Sequence, residues 1–331
     1  DFSDNFLDGA AILVTGGTGS FGKAFIKNIL TRHNPAKVII LSRDELKQYE
    51  MAQEISHDEY PCIRYFIGDV RDSARLRMAM RGIDYVIHAA AMKHVPAAEY
   101  NPFECIATNV IGAENVVTAA LDNGVKRVIA LSTDKAASPI NLYGASKLAA
   151  DKIFIAANNL AGKDGIRFAS VRYGNVIGSR GSVIPFFKSL IEKGATELPI
   201  TDERMTRFWI TLDQGVEFVI SSLSVMAGGE IFVPKIPSMR IMDLANAIAP
   251  DLPYRITGIR PGEKLHEVMI SEDDSRNTVD MGSYYVIEPA FCAWNRQPFD
   301  GEDVAEGFRY SSDVNDDWLS SEKLMEIANK L

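Results

Sequence analysis

Ala11-Ile12-Leu13-Val14-Thr15-Gly16-Gly17-Thr18-Gly19-Ser20-Phe21-Gly22 is a short apolar run that ends in a glycine-rich turn, and behind it Ala24, Phe25, Ile26, Ile29 and Leu30 trace one face of a helix. Strand, glycine turn and helix in that order is the opening unit of a dinucleotide-binding fold. The glycines read as G-x-x-G-x-x-G from Gly16, Gly19 and Gly22, or as G-x-G-x-x-G from Gly17, Gly19 and Gly22. Either spacing allows a tight turn, close approach of backbone to a pyrophosphate, and close packing of helix on strand. The stretch predicts a dinucleotide held by Gly16, Thr18, Gly19, Ser20, Phe21 and Gly22.

The apolar runs that follow keep the same rhythm. Residues 37–41, 63–67, 85–88, 128–131 and 168–171 read as further buried strands, separated by helical stretches such as 107–121. Strands alternating with helices predict an α/β fold, a doubly wound parallel Rossmann sheet with its ligands at the strand carboxyl ends. The second strand ends in Ser42-Arg43-Asp44-Glu45-Leu46-Lys47. An acidic residue directly at that end would chelate the ribose diol of NAD, but here Ser42 and Arg43 come first and Lys47 follows one helical turn later. A 2′-phosphate suits that order, so NADP is the expected cofactor, with Ser42, Arg43, Asp44 and Lys47 around the phosphate. Asp69 and Val70 fall near the adenine, and Ala89 opens the small-residue run that admits the cofactor.

The reaction centre is expected at Ser132-Thr133-Asp134-Lys135, followed by Tyr143-Gly144-Ala145-Ser146-Lys147. Tyr143 and Lys147 stand four apart at a helix start, so both leave one face. A cation beside a phenol lowers its pKa from about 10 toward working pH, which would let the phenol take a proton from a sugar hydroxyl. Tyr-x-x-x-Lys alone is an ordinary amphipathic spacing; the neighbouring carboxylate, amine and hydroxyls give it chemical meaning.

With 331 residues, 47% hydrophobic and 24% charged, the chain suits one large α/β domain or a nucleotide domain with a smaller partner. The expected division is a Rossmann domain mainly over 1–175 and a smaller α/β substrate-binding domain mainly over 176–331, with segments crossing between them. A net charge of −9 and a pI near 5.2 disfavour nucleic-acid or anionic-membrane partners. Cys62, Cys105 and Cys292 are odd in number and widely spaced, which argues against a disulfide framework or zinc site and fits a reducing cytoplasm. No apolar segment approaches the roughly 18 residues that span a bilayer, and Asp1-Phe2-Ser3-Asp4-Asn5 does not read as a signal peptide. The five histidines show no ligand spacing, His88 and His94 included, so no metal is expected.

After 171 the sequence turns to loops bearing Gly, Pro and Arg: Arg172-Tyr173-Gly174-Asn175, Gly178-Ser179-Arg180-Gly181, Leu198-Pro199-Ile200-Thr201, Arg204-Met205-Thr206-Arg207 and Arg260-Pro261-Gly262-Glu263-Lys264. Guanidiniums on separate loops can converge on a second diphosphate, which predicts a nucleotide-linked substrate. Beyond about 270 the chain is acidic and irregular, with a short strand at 284–287 and a terminal helix over 322–331, and is expected to lid or buttress the substrate side.

Together, the glycine turn, Tyr143-x-x-x-Lys147 and Arg260-Pro261-Gly262-Glu263-Lys264 resemble the extended short-chain dehydrogenase/reductase family of nucleotide-sugar enzymes over essentially the whole chain. Lys93-His94-Val95-Pro96, Ser132-Thr133-Asp134-Lys135 and 259–267 narrow the resemblance to its inverting UDP-N-acetylglucosamine 4,6-dehydratases. Retaining relatives usually carry Asp-Glu in place of Asp134-Lys135, and longer membrane-anchored ones carry Met in place of Tyr143.

The resemblance implies a soluble homo-oligomer, hexamers included, that acts on UDP-N-acetylglucosamine in pseudaminic acid biosynthesis for flagellin glycosylation. It also implies roles. Tyr143 and Lys147 serve C4 oxidation, with Lys147 gripping the nicotinamide ribose; Lys135 removes the C5 proton, and Asp134 protonates the departing C6 hydroxyl. For Lys135, burial next to Lys147 is expected to favour the neutral amine such a base needs. Thr133 contacts the C4 oxygen; Tyr173 and Gly174 border the cofactor; Lys93 and Asn175 lie at the sugar or cofactor; Arg207, Arg260 and Glu263 face the UDP; and Val183 and Thr201 also bind the substrate. A C4 or C5 epimerase of the same sugar needs the cofactor turn and the Tyr–Lys pair but no acid for water loss. A cofactor-sensing binding protein would have no reason to keep all four of Tyr143, Lys147, Asp134 and Lys135.

Overall fold

The protein is described by a computed structural model covering residues 5–163, 165–179 and 182–328. Six strands, β1 (Ala11–Thr15), β2 (Lys37–Ser42), β3 (Ile63–Ile67), β4 (Tyr85–His88), β5 (Arg127–Thr133) and β6 (Arg167–Tyr173), lie parallel in the order β3-β2-β1-β4-β5-β6. The order reverses between β1 and β4, the switch point at which such sheets bind ligands. Alternate residues along the strands feed two different cores. Ile12, Val14, Val38, Ile40 and Ile129 pack with Phe25, Ile26 and Ile29 on one face; Leu13, Ile39, Leu41, Val86 and Val128 pack with Leu76, Val116 and Phe154 on the other. Covering both faces is why these strands read as unbroken apolar runs and not as alternating ones.

The connecting helices are α1 (Ser20–Arg32), α2 (Glu45–Glu54), α3 (Ser73–Ala79), the short α4 (Val95–Tyr100) and α5 (Pro102–Ile106), α6 (Gly112–Asp122) and α7 (Leu142–Ala161). The helix expected over 107–121 is divided: Ala107–Ile111 is a π-helical turn and α6 starts only at Gly112. The widened turn leaves Asn109 buried, where its side chain bonds both the N–H and the carbonyl of Met92 (2.8 and 2.9 Å) and Ser146 Oγ (2.9 Å).

From β7 (Asn175–Val176) the chain builds a second, smaller core with α8 (Val183–Glu192), β8 (Leu198–Ile200) and β9 (Thr206–Ile210) around Phe187, Trp209 and Leu244. It then crosses back. α9 (Leu212–Val225) buries Val216, Val219 and Leu223 in the first core, and β10 (Ile231–Pro234) pairs with β6 as a seventh parallel strand. α10 (Ile241–Ile248) and α11 (Ser321–Ala328) complete the smaller core. Residues 329–331 of the expected terminal helix, Asp1 to Asp4, and Arg180 and Gly181 of the expected arginine loop lie outside the described residues.

Part of the segment beyond 270 does something other than lid a site. Tyr284–Ile287 pairs antiparallel with β10, and Thr278–Asp280 and Glu302–Asp303 follow, so the main sheet gains three strands at that edge. Val268–Ile270, just ahead of that segment and paired with its Tyr310–Ser311, lies against the Asp134–Ala136 turn. Among the described residues, no helix is long and apolar enough to cross a membrane.

Candidate active site

A cleft of about 710 Å³ opens at the carboxyl ends of the parallel strands and is lined by the glycine turn, the β2 end and both reactive stretches. At its cofactor end, Gly16 adopts φ +65°, and a Cβ there would stand 2.9 Å from the backbone of Ala90. A Cβ on Gly22 would stand 2.5 Å from the backbone of Gly17. The N-cap of helix α1 is Gly19, which has no side chain to cap it, so the first N–H groups of the helix face the cleft without a protein acceptor from that cap. A backbone cradle with no room for side chains, at an uncapped helix start, fits a pyrophosphate. Gly16, Thr18, Gly19, Ser20, Phe21, Gly22, Ser42, Arg43, Asp44, Lys47, Asp69, Val70, Ala89, Lys93, Tyr173 and Gly174 all line this cleft. Asp44, the acidic residue nearest the β2 end, is occupied: its carboxylate caps α2 by accepting from Lys47 N (3.0 Å) and pairs with Lys47 Nζ (3.3 Å). The Arg43 guanidinium is 62% exposed, 3.9 Å from Asp69.

The reactive groups come from two elements that meet at the floor. β5 ends at Thr133 and runs into a single 3-10 turn, Asp134–Ala136. α7 starts beside it, its N-cap Asn141 accepting from Gly144 N (2.7 Å) and donating to the carbonyl of Gly262 (2.8 Å). Tyr143 and Lys147 leave the first turns on the buried side. Thr133 Oγ1 donates to Asp134 Oδ1 (2.9 Å), and Lys135 Nζ donates to the same oxygen (3.0 Å). Asp134 Oδ2 is buried with no hydrogen-bond partner.

The charge states differ from those the spacing suggests. Burial pushes the Tyr143 phenol up to about 12; the groups that work against burial are the Lys135 charge and a hydrogen bond with Thr133, not Lys147. Lys147 points elsewhere, donating to the carbonyl of Leu131 (2.6 Å), and burial lowers its pKa against the pull of Asp151. For Lys135, burial favours the neutral amine as expected, but the carboxylates of Asp134 and Glu267 outweigh it and hold the ammonium charged. Burial raises the Asp134 carboxyl, with Glu267 adding to the rise and Lys135 opposing it, so it takes up a proton more readily than an ordinary carboxylate.

On the substrate side, Lys93, Thr133 and Asn175 line the cleft, whereas Val183, Thr201, Arg207, Arg260 and Glu263 stand outside its lining. Arg207 is buried and turned inward, donating to the carbonyls of Thr206 (2.7 Å), Leu265 (3.1 Å) and Lys264 (3.0 Å). Arg260 is largely exposed and paired with Glu263.

Three buried polar residues escaped the sequence reading. Asp151 accepts from Ser132 Oγ (2.7 Å) and stands 3.5 Å from Arg172. Asn109, on the π turn, ties Met92 to Ser146. Glu267 closes on Lys135 at 3.3 Å. Glu267 ends a motif that the sequence did single out, but nothing in its spacing links it to Lys135. Among the described residues, no His, Cys, Asp and Glu group is arranged to hold a metal ion.

Comparison with known proteins gives concordant results. Residues 12–289 match the family described as "Polysaccharide biosynthesis protein". A UDP-N-acetylglucosamine 4,6-dehydratase (inverting) of Campylobacter jejuni subsp. jejuni serotype O:2 is 60% identical over 96% of this chain and 97% of its own. The structure of Pen from Bacillus thuringiensis aligns over 98% of both chains at 36% identity, with a TM-score of 0.90. DesIV, a dTDP-glucose 4,6-dehydratase of Streptomyces venezuelae solved with NAD and TYD bound, aligns at 26% identity over 77% of this chain and 86% of its own, with a TM-score of 0.69.

Proposed function

The chain belongs to the polysaccharide biosynthesis protein family, and from that membership we propose that it is an inverting UDP-N-acetylglucosamine 4,6-dehydratase that uses NADP. The observation that carries the reading is the contact between Asp134 and Lys135 beside Tyr143 on the cleft floor: an acid, an amine and a phenol within reach of one sugar. The 60% identity to a dehydratase of that name supports the same substrate.

Bound NADP would supply hydride chemistry, accepting a hydride from C4 and returning it to C6. The protein's own residues handle protons. Tyr143, once its phenol has lost its proton to solvent with the Lys135 charge and Thr133 favouring the phenolate against burial, takes the proton of the C4 hydroxyl, with Lys147 at the ribose. The C4 ketone makes the C5 hydrogen acidic because the carbanion delocalises as an enolate. Lys135 passes its own proton to Asp134, 3.0 Å away, and the neutral amine removes the C5 proton; Asp134, whose carboxyl burial shifts toward the protonated form, then delivers its proton to the C6 hydroxyl as it leaves as water. A proton returned to C5 from the other face inverts that centre, giving UDP-2-acetamido-2,6-dideoxy-beta-L-arabino-hexos-4-ulose. Lys93 and Asn175 flank the sugar; Arg207, Arg260 and Glu263 are assigned to the uridine diphosphate, and Val183 and Thr201 also to the substrate. The last five stand outside the cleft lining, Val183 at the start of α8 and Arg207 on β9.

Residues 1–175 and 176–331 serve as the mainly cofactor-binding and mainly sugar-binding parts. A cytoplasmic homo-oligomer feeding pseudaminic acid biosynthesis completes the reading; the exposed Tyr100 and Phe103, at 88% and 87%, are apolar side chains that assembly would cover. The test is incubation with UDP-N-acetylglucosamine in deuterated water, followed by NMR. A 4-keto-6-deoxy sugar with deuterium at C5 and inverted C5 coupling is expected. Unchanged or merely C4-epimerised sugar refutes the reading.

A further inference from the structure

Two carboxylates close on the Lys135 ammonium: Asp134 Oδ1 at 3.0 Å and Glu267 Oε1 at 3.3 Å. Asp134 adjoins Lys135 in the turn after β5, whereas Glu267 arrives from the segment leading into Val268–Ile270. A lysine head on a flexible stem is fixed far better by two anchors from separate segments than by one from its own turn. Glu267 is itself held firmly. It is 2% exposed, its N–H donates to Ser312 Oγ (2.9 Å), its carbonyl accepts from Ser312 N (2.8 Å), and Arg207 Nε lies 3.7 Å from the oxygen that faces Lys135. Its other oxygen, Oε2, is buried without a hydrogen-bond partner, so the two cations set the orientation of this carboxylate.

We propose that Glu267 is a positioning residue for the dehydration: it serves as the standing counter-ion of Lys135, and so frees Asp134 to carry and deliver a proton. This rests on the roles given above to Asp134 and Lys135. The two carboxylates are pushed in opposite directions. Burial acts to raise both, but Lys135, Arg207 and Lys264 overcome it at Glu267 and keep that group ionised, whereas at Asp134 burial and the Glu267 charge outweigh Lys135. Neighbouring carboxyl groups driven apart in this way divide the labour, one remaining an anion and the other becoming an acid. If Asp134 were the only anion beside Lys135, protonating it would leave a partly buried ammonium uncompensated.

The charged and titratable groups facing the pair are Lys135 on the turn, Tyr143 on α7, Arg207 on β9 and Lys264 ahead of Glu267. The test uses the full-length enzyme with UDP-N-acetylglucosamine and NADP. In Glu267→Gln, Asp134 must take over as counter-ion. Its acid form is then lost at lower pH, so the basic limb of the kcat profile moves about one pH unit to the acid side. Over the same range kcat falls at least about tenfold while KM stays within about threefold, as for a group that acts on the reacting atoms through another. Glu267→Asp keeps the charge on a shorter arm, so its limb stays in place while kcat falls. An unmoved limb in Glu267→Gln, or a loss confined to KM, overturns the proposal. If that variant fails to fold, Glu267→Asp decides, and a kcat within about twofold of the parent overturns it. Failure of the parent enzyme to make the 4-keto-6-deoxy product would instead refute the proposed function.

Discussion

Arg43 is where the choice of cofactor can be weighed. Asp44 is engaged in capping α2 and in its contact with Lys47, which leaves Arg43 as the group at the β2 end able to distinguish a 2′-phosphate from a hydroxyl. A guanidinium on a phosphate contributes about 1.5–3 kcal/mol net. Because the Arg43 side chain is 62% exposed, water and salt screen it and the lower end applies, about 1.5 kcal/mol. That corresponds to about tenfold in Kd. Arg43→Ala should therefore weaken NADPH binding about tenfold in a fluorescence titration and leave NADH within about twofold, with the preference of the parent enzyme shrinking at high salt. The 3.9 Å approach of Arg43 to Asp69 does not blur the result, because Arg71 holds Asp69 at 2.7 Å. Equal weakening of both nucleotides, or an unchanged Kd for NADPH, would refute the assignment.

Asp134→Asn should lower 6-deoxy product formation by about 10²-fold or more, the usual contribution of a positioned acid, while C4 oxidation continues. NMR of the sugar would show it, and undiminished water loss would remove Asp134 from the acid role. Tyr143→Phe should halt C4 oxidation, yet when given the 4-keto product it should still exchange the C5 hydrogen for solvent deuterium. Loss of that exchange would argue against Lys135 as the C5 base. His88 bears on stability: burial, with the nearby Lys147 charge, lowers its pKa from 6.5 to about 3. The folded pKa is depressed, so the folded state favours the neutral ring and protonation favours the unfolded chain. Stability is thus lost as pH falls from about 6.5 toward 3, by about 2 kcal/mol on reaching pH 5. Urea unfolding at pH 7, 6 and 5 should show this slope, and His88→Asn should flatten it; parallel slopes would refute the attribution.

The fold was legible because both faces of its parallel sheet are covered, which leaves unbroken apolar runs at β1, β2, β4 and β5 with helical spacing between them. The glycine turn was legible because it needs positions where a Cβ would strike backbone, and Gly22 meets that condition. The π turn at Ala107–Ile111 was not, because its apolar residues follow a helical pattern and only the hydrogen bonds of Asn109 mark the irregularity. Glu267 was hidden for a different reason. Proximity between a strand end and a segment far along the chain is a product of topology, which residue types at either place do not record. Arg207 illustrates the same limit: in the sequence it is a guanidinium expected to face a second diphosphate, but β9 turns it inward onto three carbonyls.

The largest difference lies within the Tyr–Lys pair. Read from spacing, Lys147 prepares the phenol; in the structure Lys147 is bound to the Leu131 carbonyl, and the charge that favours the Tyr143 phenolate is on Lys135. Interactions between titrating groups are reciprocal, so a Tyr143 phenolate must equally favour the charged form of Lys135. When Tyr143 takes the C4 proton, that support disappears and the Lys135 ammonium is left to Asp134 and Glu267 alone. Once Asp134 is protonated as an acid, only Glu267 remains. These two transfers each remove one anion that held the proton on Lys135, and bring it closer to the neutral amine that C5 requires. The order that the C4 ketone imposes, oxidation at C4 before proton removal at C5, is thus matched by three groups sharing one partly buried cation.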